Sequence, residues 1–190
     1  MTRVIDRSTQ WRSIAAGATR NCPSGLVTGL KRLDMAAFEY RQAEEIQRVF
    51  AEHRVRYLFL GKSGAILLGF PDTTQDADLY VDKQRENCAA LVPALHELGF
   101  ELSQTEDEEI RRGKDFIQLK NGPFDLDLIF APDGIERFED AWSRRVDAEG
   151  FPVCHLDDII ASKRSANRKK DMESLGRLEA FREYWRNKRS

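Results

Sequence analysis

The sequence predicts an α+β protein, in which a mixed β-sheet with flanking helices is followed by a helical C-terminal part. Short apolar runs typical of strands cover residues 56–60, 77–81, 116–120 and 124–130. Segments with the apolar spacing of helices lie between these runs. Two further helical patterns occupy residues 156–190. Alternation of strands and helices in this order favours a sheet covered by helices.

A chain of 190 residues has room for one domain and a small appendage. We expect three parts. Residues 1–33 show no sustained hydrophobic periodicity, so we expect them to form a poorly ordered or peripheral N-terminal arm. Residues 34–155 form the core, and residues 156–190 form a C-terminal helical segment packed on it.

The first half of the predicted core begins with a helix capped by Asp34, with Phe38, Ile46 and Val49 near one face. A strand follows at 56–60, and a short helix at 63–69 is entered through small residues. Residues 70–75 predict a loop, and residues 77–81 predict the second strand.

The second half begins with a helix at 84–98 that ends at Gly99 and contains Pro93. Either this helix is kinked at Pro93, or it ends near Ala90 and a new one begins. A strand at 101–104 and a loop at 105–113 are expected next. Asn121-Gly122-Pro123 lies between two apolar runs and predicts a hairpin whose turn is longer than two residues. The remaining expected elements are a helix at 134–142, a strand at 151–154, and helices at 156–165 and 171–184.

The net charge is only −2, but it is unevenly distributed. Residues 161–190 contain ten Lys or Arg and four Asp or Glu, a net charge of +6, which leaves −8 for the rest. The basic segment could hold a polyanion, although a solvated helical face accounts for the same composition. The three cysteines are widely separated, so neither a zinc site nor a disulfide framework is expected. Without an apolar segment of spanning length, we expect no membrane partner and a cytoplasmic location.

Two carboxylate pairs stand out because each lies within a predicted strand. Asp76 and Asp78 share one face of their strand, and Asp125 and Asp127 share one face of theirs. Burying several like charges is unfavourable unless a cation compensates them, and Mg²⁺ prefers carboxylate oxygens. The alternative is that these residues lie on a solvated sheet face or cap neighbouring turns.

The segment Gly61-Lys62-Ser63 follows the first strand and opens a helix. It is not a P-loop, because the position that the motif requires to be glycine is Arg56. A strand–turn–helix remains, whose N–H groups and Ser63 hydroxyl could hold a phosphate. The alternative is that Ser63 only caps the helix.

The order glycine turn, short helix, Asp-x-Asp and later strand Asp resembles the nucleotidyltransferase superfamily of the DNA polymerase β type. A C-terminal segment of the small bacterial members is similar to two stretches of this chain. These are Leu-Asp-Asp-Ile-Ile-Ala-Ser-Lys-Arg at 156–164 and Asn-Arg-Lys-Lys-Asp at 167–171. These members include the toxin of abortive-infection toxin–antitoxin systems. The resemblance covers about residues 40–180.

The resemblance implies transfer of a nucleoside monophosphate from a nucleoside triphosphate (NTP) to an acceptor hydroxyl, dependent on Mg²⁺ or Mn²⁺. Asp76, Asp78 and Asp127 would be the catalytic and metal-binding residues, with Asp127 also helping to deprotonate the acceptor. Nucleotide phosphates would be held by residues of the turn and of the C-terminal segment, namely Gly61, Lys62, Ser63, Lys163 and Arg168.

Departures from the family pattern leave several points open. Lys62 stands where the family usually has a second small residue. Either Asp125 or Asp127 could be the third carboxylate, and the Asp-Leu-Ile sequence at the end of the strand favours Asp127. A catalytically degenerate binding or regulatory module is therefore one alternative. The acceptor could be RNA such as tRNA, a protein, or a small molecule of the aminoglycoside type, and an antitoxin is a possible partner.

Overall fold

The computed structural model describes residues 37–189, with the side chains of 37–168 and 172–188. The arm predicted for residues 1–33 and the cap predicted at Asp34 lie outside the described residues. Helices and strands follow one another along the described part as α1 Tyr40–Glu52, β1 Tyr57–Phe59, α2 Gly61–Leu67, β2 Asp76–Val81, α3 Arg85–Glu97, α4 Gln104–Arg111, β3 Phe116–Leu119, β4 Asp125–Ile129, α5 Phe138–Arg144, β5 Val146–Ala148, β6 Phe151–Val153, α6 Leu156–Ala166 and α7 Lys169–Arg189.

The strands form one mixed sheet in the order β3–β4–β2–β1–β6–β5, so the predicted α+β class is confirmed. Strands β1 and β2 are antiparallel neighbours, whereas β2 runs parallel to β4 and β1 runs parallel to β6. The hairpins β3–β4 and β5–β6 form the two edges. Because β2 and β4 are parallel neighbours, side chains at equivalent positions of these strands lie side by side on one face.

The core lies where the apolar faces of the helices cover this sheet. Helix α1 buries Ala43, Ile46, Val49 and Phe50, as its periodicity predicts. The helix begins at Tyr40, however, so Phe38 precedes it instead of lying within it. The Phe38 N–H donates a hydrogen bond to the Thr74 carbonyl over 2.7 Å, a tertiary contact that holds this residue outside the helix.

Helix α3 is continuous through Pro93, which settles the predicted alternatives in favour of a single helix. Pro93 lies on the exposed face, while Leu91, Val92 and Leu95 are buried. Burial of the apolar face outweighs the missing N–H of proline. Gly99 follows with a φ of +91°, as expected of a residue that ends a helix.

The strand predicted at 101–104 and the loop predicted at 105–113 are both wrong, because this region forms α4. Ser103 is its N-cap: the Ser103 hydroxyl accepts from the Glu106 N–H, and the Glu106 carboxylate accepts from the Ser103 N–H over 2.7 Å. This Ser-x-x-Glu capping box was present in the sequence. The short edge strand β5 was also not predicted, whereas the β3–β4 hairpin is confirmed, with a connection at 120–124.

Helices α6 and α7 occupy the segment for which helices were predicted. His155 caps α6 by accepting a hydrogen bond from the Asp157 N–H at Nδ1. In α7, the Phe181 ring packs against Phe70 with a centroid distance of 5.4 Å. Across the described residues, no helix is both long enough and apolar enough to span a bilayer.

Candidate active site

Three carboxylates meet on the face of the sheet where β2 and β4 are neighbours. Asp78 is paired in register with Asp127, and Asp76 precedes Asp78 by two residues on the same face. One oxygen from each of Asp76, Asp78 and Asp127 lies within 4.8 Å of the others. Asp127 is buried and the other two are half-buried. The strand pairing therefore produces a compact group of three acids from two chain segments.

Asp125 does not belong to this group, although it is paired in register with Asp76. The two carboxylates that the sequence left as alternatives thus have different surroundings. Asp127 contributes an oxygen to the group, and Asp125 does not. The geometry favours Asp127 as the third member.

The electrostatic environment of Asp78 reflects the crowding of these acids. Burial and the negative charges of Asp76 and Asp127 raise the pKa of Asp78 to about 7. The charge of Lys163 and a hydrogen bond from the Lys62 N–H to Asp78 Oδ2, 3.2 Å long, act in the opposite direction. Burial and the two neighbouring carboxylates outweigh these two contributions, so the neutral form of Asp78 is favoured more than it is in water.

Gly61 begins α2 with a φ of +59°, a conformation that favours glycine. Gly61 and Lys62 both line the cleft that contains the three acids. The turn between β1 and α2 therefore lies beside the carboxylates, as the sequence pattern suggested.

Ser63, the next residue of this turn, is fully buried. Its hydroxyl donates to the Leu60 carbonyl over 3.1 Å and accepts from the Asp78 N–H over 2.9 Å. Both contacts are internal to the fold. Ser63 thereby fastens the turn to β2 and positions the backbone of Asp78, and its phosphate contact stays a prediction.

Two side chains that hold the acids were not anticipated from the sequence. The Thr74 hydroxyl donates to Asp76 Oδ1 over 2.6 Å, and the Gln118 amide donates to Asp127 Oδ1 over 2.9 Å. Thr74 precedes Asp76 by two residues, so it could have been suspected. Gln118 could be recognised only through the hairpin register, which pairs it with Asp127.

The cleft has a volume of about 470 Å³, and three cations line it together with the acids. Lys62 comes from α2, Lys163 from α6, and Arg168 follows α6. The Lys62 Nζ lies 3.8 Å from an oxygen of Asp72, at the border of an ion pair. Every residue predicted to bind phosphate, except Ser63, therefore lines the same cleft as the carboxylates.

No protein-family model matches the chain, and no curated protein matches it. Among solved structures, the lincosamide antibiotic adenylyltransferase LnuA, in its lincomycin-bound crystal structure, is similar with a TM-score of 0.55. The match covers 76% of this chain and 98% of LnuA, at 15% sequence identity. At this identity the similarity concerns the fold. The chain shares the fold of this adenylyltransferase.

The donor set of the three acids suits a divalent metal ion. Asp76, Asp78 and Asp127 offer only carboxylate oxygens, which are the ligands that Mg²⁺ and Mn²⁺ prefer. The raised pKa of Asp78 indicates a site where positive charge would be stabilising. A His or Cys ligand set, which would favour zinc, is not part of this group.

Proposed function

We propose that this protein transfers a nucleoside monophosphate from an NTP to an acceptor hydroxyl and releases pyrophosphate. One observation carries the proposal: Asp76, Asp78 and Asp127 converge beside the turn at Gly61, in a chain that shares the fold of an adenylyltransferase. The presence of all three carboxylates supports an active enzyme over a degenerate binding module, the alternative that Lys62 suggested.

In the proposed reaction, the acceptor oxygen forms a bond to the α-phosphorus as the bond to pyrophosphate breaks. Asp76 and Asp78 would hold Mg²⁺, and Asp127 would complete the ligand set. A bound Mg²⁺ supplies positive charge that stabilises the attacking and leaving oxygens of an in-line displacement. Asp127, which comes from the neighbouring strand, would also take the proton of the acceptor hydroxyl.

The phosphate tail of the NTP would lie along the turn and the cationic residues of the cleft. Gly61 contributes backbone that lines the cleft, while Lys62, Lys163 and Arg168 contribute positive charge. Ser63 acts indirectly, by fixing the turn against β2. Phosphoryl transfer depends mainly on such positioning and charge stabilisation, because the protein supplies little covalent chemistry.

A toxin that modifies RNA is the second candidate, and the resemblance of residues 156–171 to the abortive-infection subgroup is what favours it. The basic composition of α7 supports it less than the sequence suggested. Arg177 pairs with Asp72 at 3.1 Å, and Arg186 pairs with Asp157 at 2.8 Å. These contacts fit the alternative interpretation, in which α7 presents a solvated face and its arginines form ion pairs with acidic residues of the same chain.

The test is a transfer assay with each of the four α-³²P-labelled NTPs and three acceptor pools: total RNA, soluble protein and dialysable small molecules. Wild-type protein should label one pool with Mg²⁺ and none with EDTA. Asp76→Asn and Asp78→Asn should reduce labelling by on the order of 100-fold or more, since metal stabilisation amounts to several kcal/mol. Undiminished labelling by both variants, at wild-type circular dichroism, would refute the proposal.

A further inference from the structure

We infer that the acceptor is a small molecule with an apolar face and a positive charge, seated against Phe116. This inference rests on the proposed function and identifies the substrate class of the same cleft. Its seat consists of cleft-lining residues from β3, β4 and the adjoining loops, which we call the acceptor shelf: Asp115, Phe116, Ile129, Ala131, Pro132 and Asp133.

The sheet order determines on which side of the carboxylates an acceptor lies. The turn at Gly61 and Lys62 follows β1, on one side of β2, and Asp127 lies on β4, on the other side. If the triphosphate tail follows the turn, the reacting phosphorus lies at the carboxylates. In-line attack then requires the acceptor to approach from the opposite side, which is the side of β4 and β3.

Phe116 is the exposed aromatic residue on that side. It is paired in register with Ile129, and it lies two residues before Gln118, whose amide contacts Asp127. Phe116 and Gln118 therefore share one face of β3. Phe116 is 45% exposed, and of the large hydrophobic residues that the described chain exposes, it is the one that lines the cleft. With Ile129, Ala131 and Pro132 it forms an apolar surface continuous with the carboxylates.

The charged residues of the acceptor shelf indicate which class of acceptor it can bind. The cleft-lining residues between 115 and 133 include the acids Asp115 and Asp133 and no Lys or Arg. Asp115 keeps a largely exposed carboxylate even though Lys83 contacts it at 2.7 Å. A nucleic acid needs cations along its phosphates. A compact acceptor with an apolar face and an amine is complementary to an aromatic ring flanked by carboxylates.

The experiment labels the same three pools with α-³²P NTPs and then separates the small-molecule pool by cation exchange. Label is expected in small molecules that the cation exchanger retains. Phe116→Ala should raise the KM for the purified acceptor at least about tenfold and leave the KM for the NTP unchanged. Phe116→Tyr should retain the wild-type KM because it keeps the ring. Tyr184→Ala, which removes an exposed aromatic of α7 outside the cleft, is the matched control.

Label confined to RNA or protein, or an acceptor KM that Phe116→Ala does not change, overturns the inference. A separate measurement isolates the proposed function: Mg²⁺-dependent binding of each of the four α-³²P NTPs in equilibrium dialysis, compared between wild type and Asp78→Asn. If this binding is present and no cationic small molecule is labelled, the acceptor class is wrong and the proposed nucleotide site stands. If the binding is absent, the proposed function fails, and the inference fails with it.

Discussion

The backbone of Gly61 lies directly against the carboxylate of Asp78. A Cβ placed on residue 61 would lie 2.2 Å from Asp78 Oδ2, closer than any non-bonded contact allows. The same residue has a φ of +59°. Two independent features, the backbone conformation and the contact with the Asp78 carboxylate, therefore require glycine at this position.

Gly61→Ala should displace the Asp78 carboxylate and abolish Mg²⁺-dependent nucleotide binding. Gly69→Ala is the matched control, because Gly69 also has a positive φ, +97°, but a Cβ there has no neighbour within 4 Å. Both variants should lose roughly 1–2 kcal/mol of unfolding free energy through backbone strain. Equilibrium dialysis with labelled ATP should separate them, and equal nucleotide affinities would contradict the assigned contact.

The substitutions Asp127→Asn and Asp125→Asn each remove one charge from the same strand. The transfer rates of the two variants should differ sharply. The Asp127 variant should lose on the order of 100-fold in transfer rate, since its carboxylate belongs to the group of three acids. The Asp125 variant should stay within about twofold of wild type, as expected for a substitution outside a functional cluster. Rates are compared at saturating Mg²⁺. The reverse order would make Asp125 the third carboxylate.

Ser63→Ala tests whether this hydroxyl serves the fold or the phosphate. Removal leaves the Asp78 N–H without its 2.9 Å partner, and we expect a loss of about 1–3 kcal/mol in urea unfolding. Ser143→Ala is the control, because that exposed hydroxyl donates only to the Asp140 carbonyl and should matter by less than about 0.5 kcal/mol. If the Ser63→Ala variant instead had wild-type stability and bound ATP more weakly, the Ser63 hydroxyl would be a phosphate ligand.

Gln118→Leu should weaken metal binding without unfolding the protein. The Gln118 amide orients Asp127 by a 2.9 Å hydrogen bond, and loss of such outer contacts typically reduces metal affinity 10–100-fold. Gln104→Leu removes a comparable exposed amide, which contacts only Glu108 on α4. Calorimetric titration with Mn²⁺ measures the affinity directly. Identical affinities in the two variants would show that Gln118 does not support the site.

Lys163→Ala should weaken ATP binding about tenfold, because a charge-assisted contact to phosphate contributes about 1.5–3 kcal/mol. Lys163 lines the cleft and its charge already acts on Asp78. Lys114→Ala, which breaks a surface ion pair with Glu109, is the control and should bind ATP normally. Thermal unfolding checks that both variants remain folded, and an unchanged ATP affinity would place Lys163 among the ordinary surface cations.

The strands that carry the acids and the strong local turns can be predicted from the sequence. Alternating apolar residues identified β2 and β4, and Asn121-Gly122-Pro123 identified the hairpin, because these signals depend only on neighbours along the chain. The same local logic would have given α4 through Ser103 and Glu106. The spacing of Asp76 and Asp78 already placed both carboxylates on one face.

Packing of distant segments establishes which acid joins Asp76 and Asp78 and what the surrounding side chains do. The parallel register of β2 with β4 sets Asp125 beside Asp76 and Asp127 beside Asp78, and only the placement of the packed side chains brings Asp127, and not Asp125, into the group. Ser63 looks like a phosphate ligand in the sequence, but burial against β2 uses its hydroxyl inside the fold. Gln118 acquires its contact with Asp127 from antiparallel pairing. Strand periodicity is a property of one segment, whereas register and burial arise when distant segments pack together.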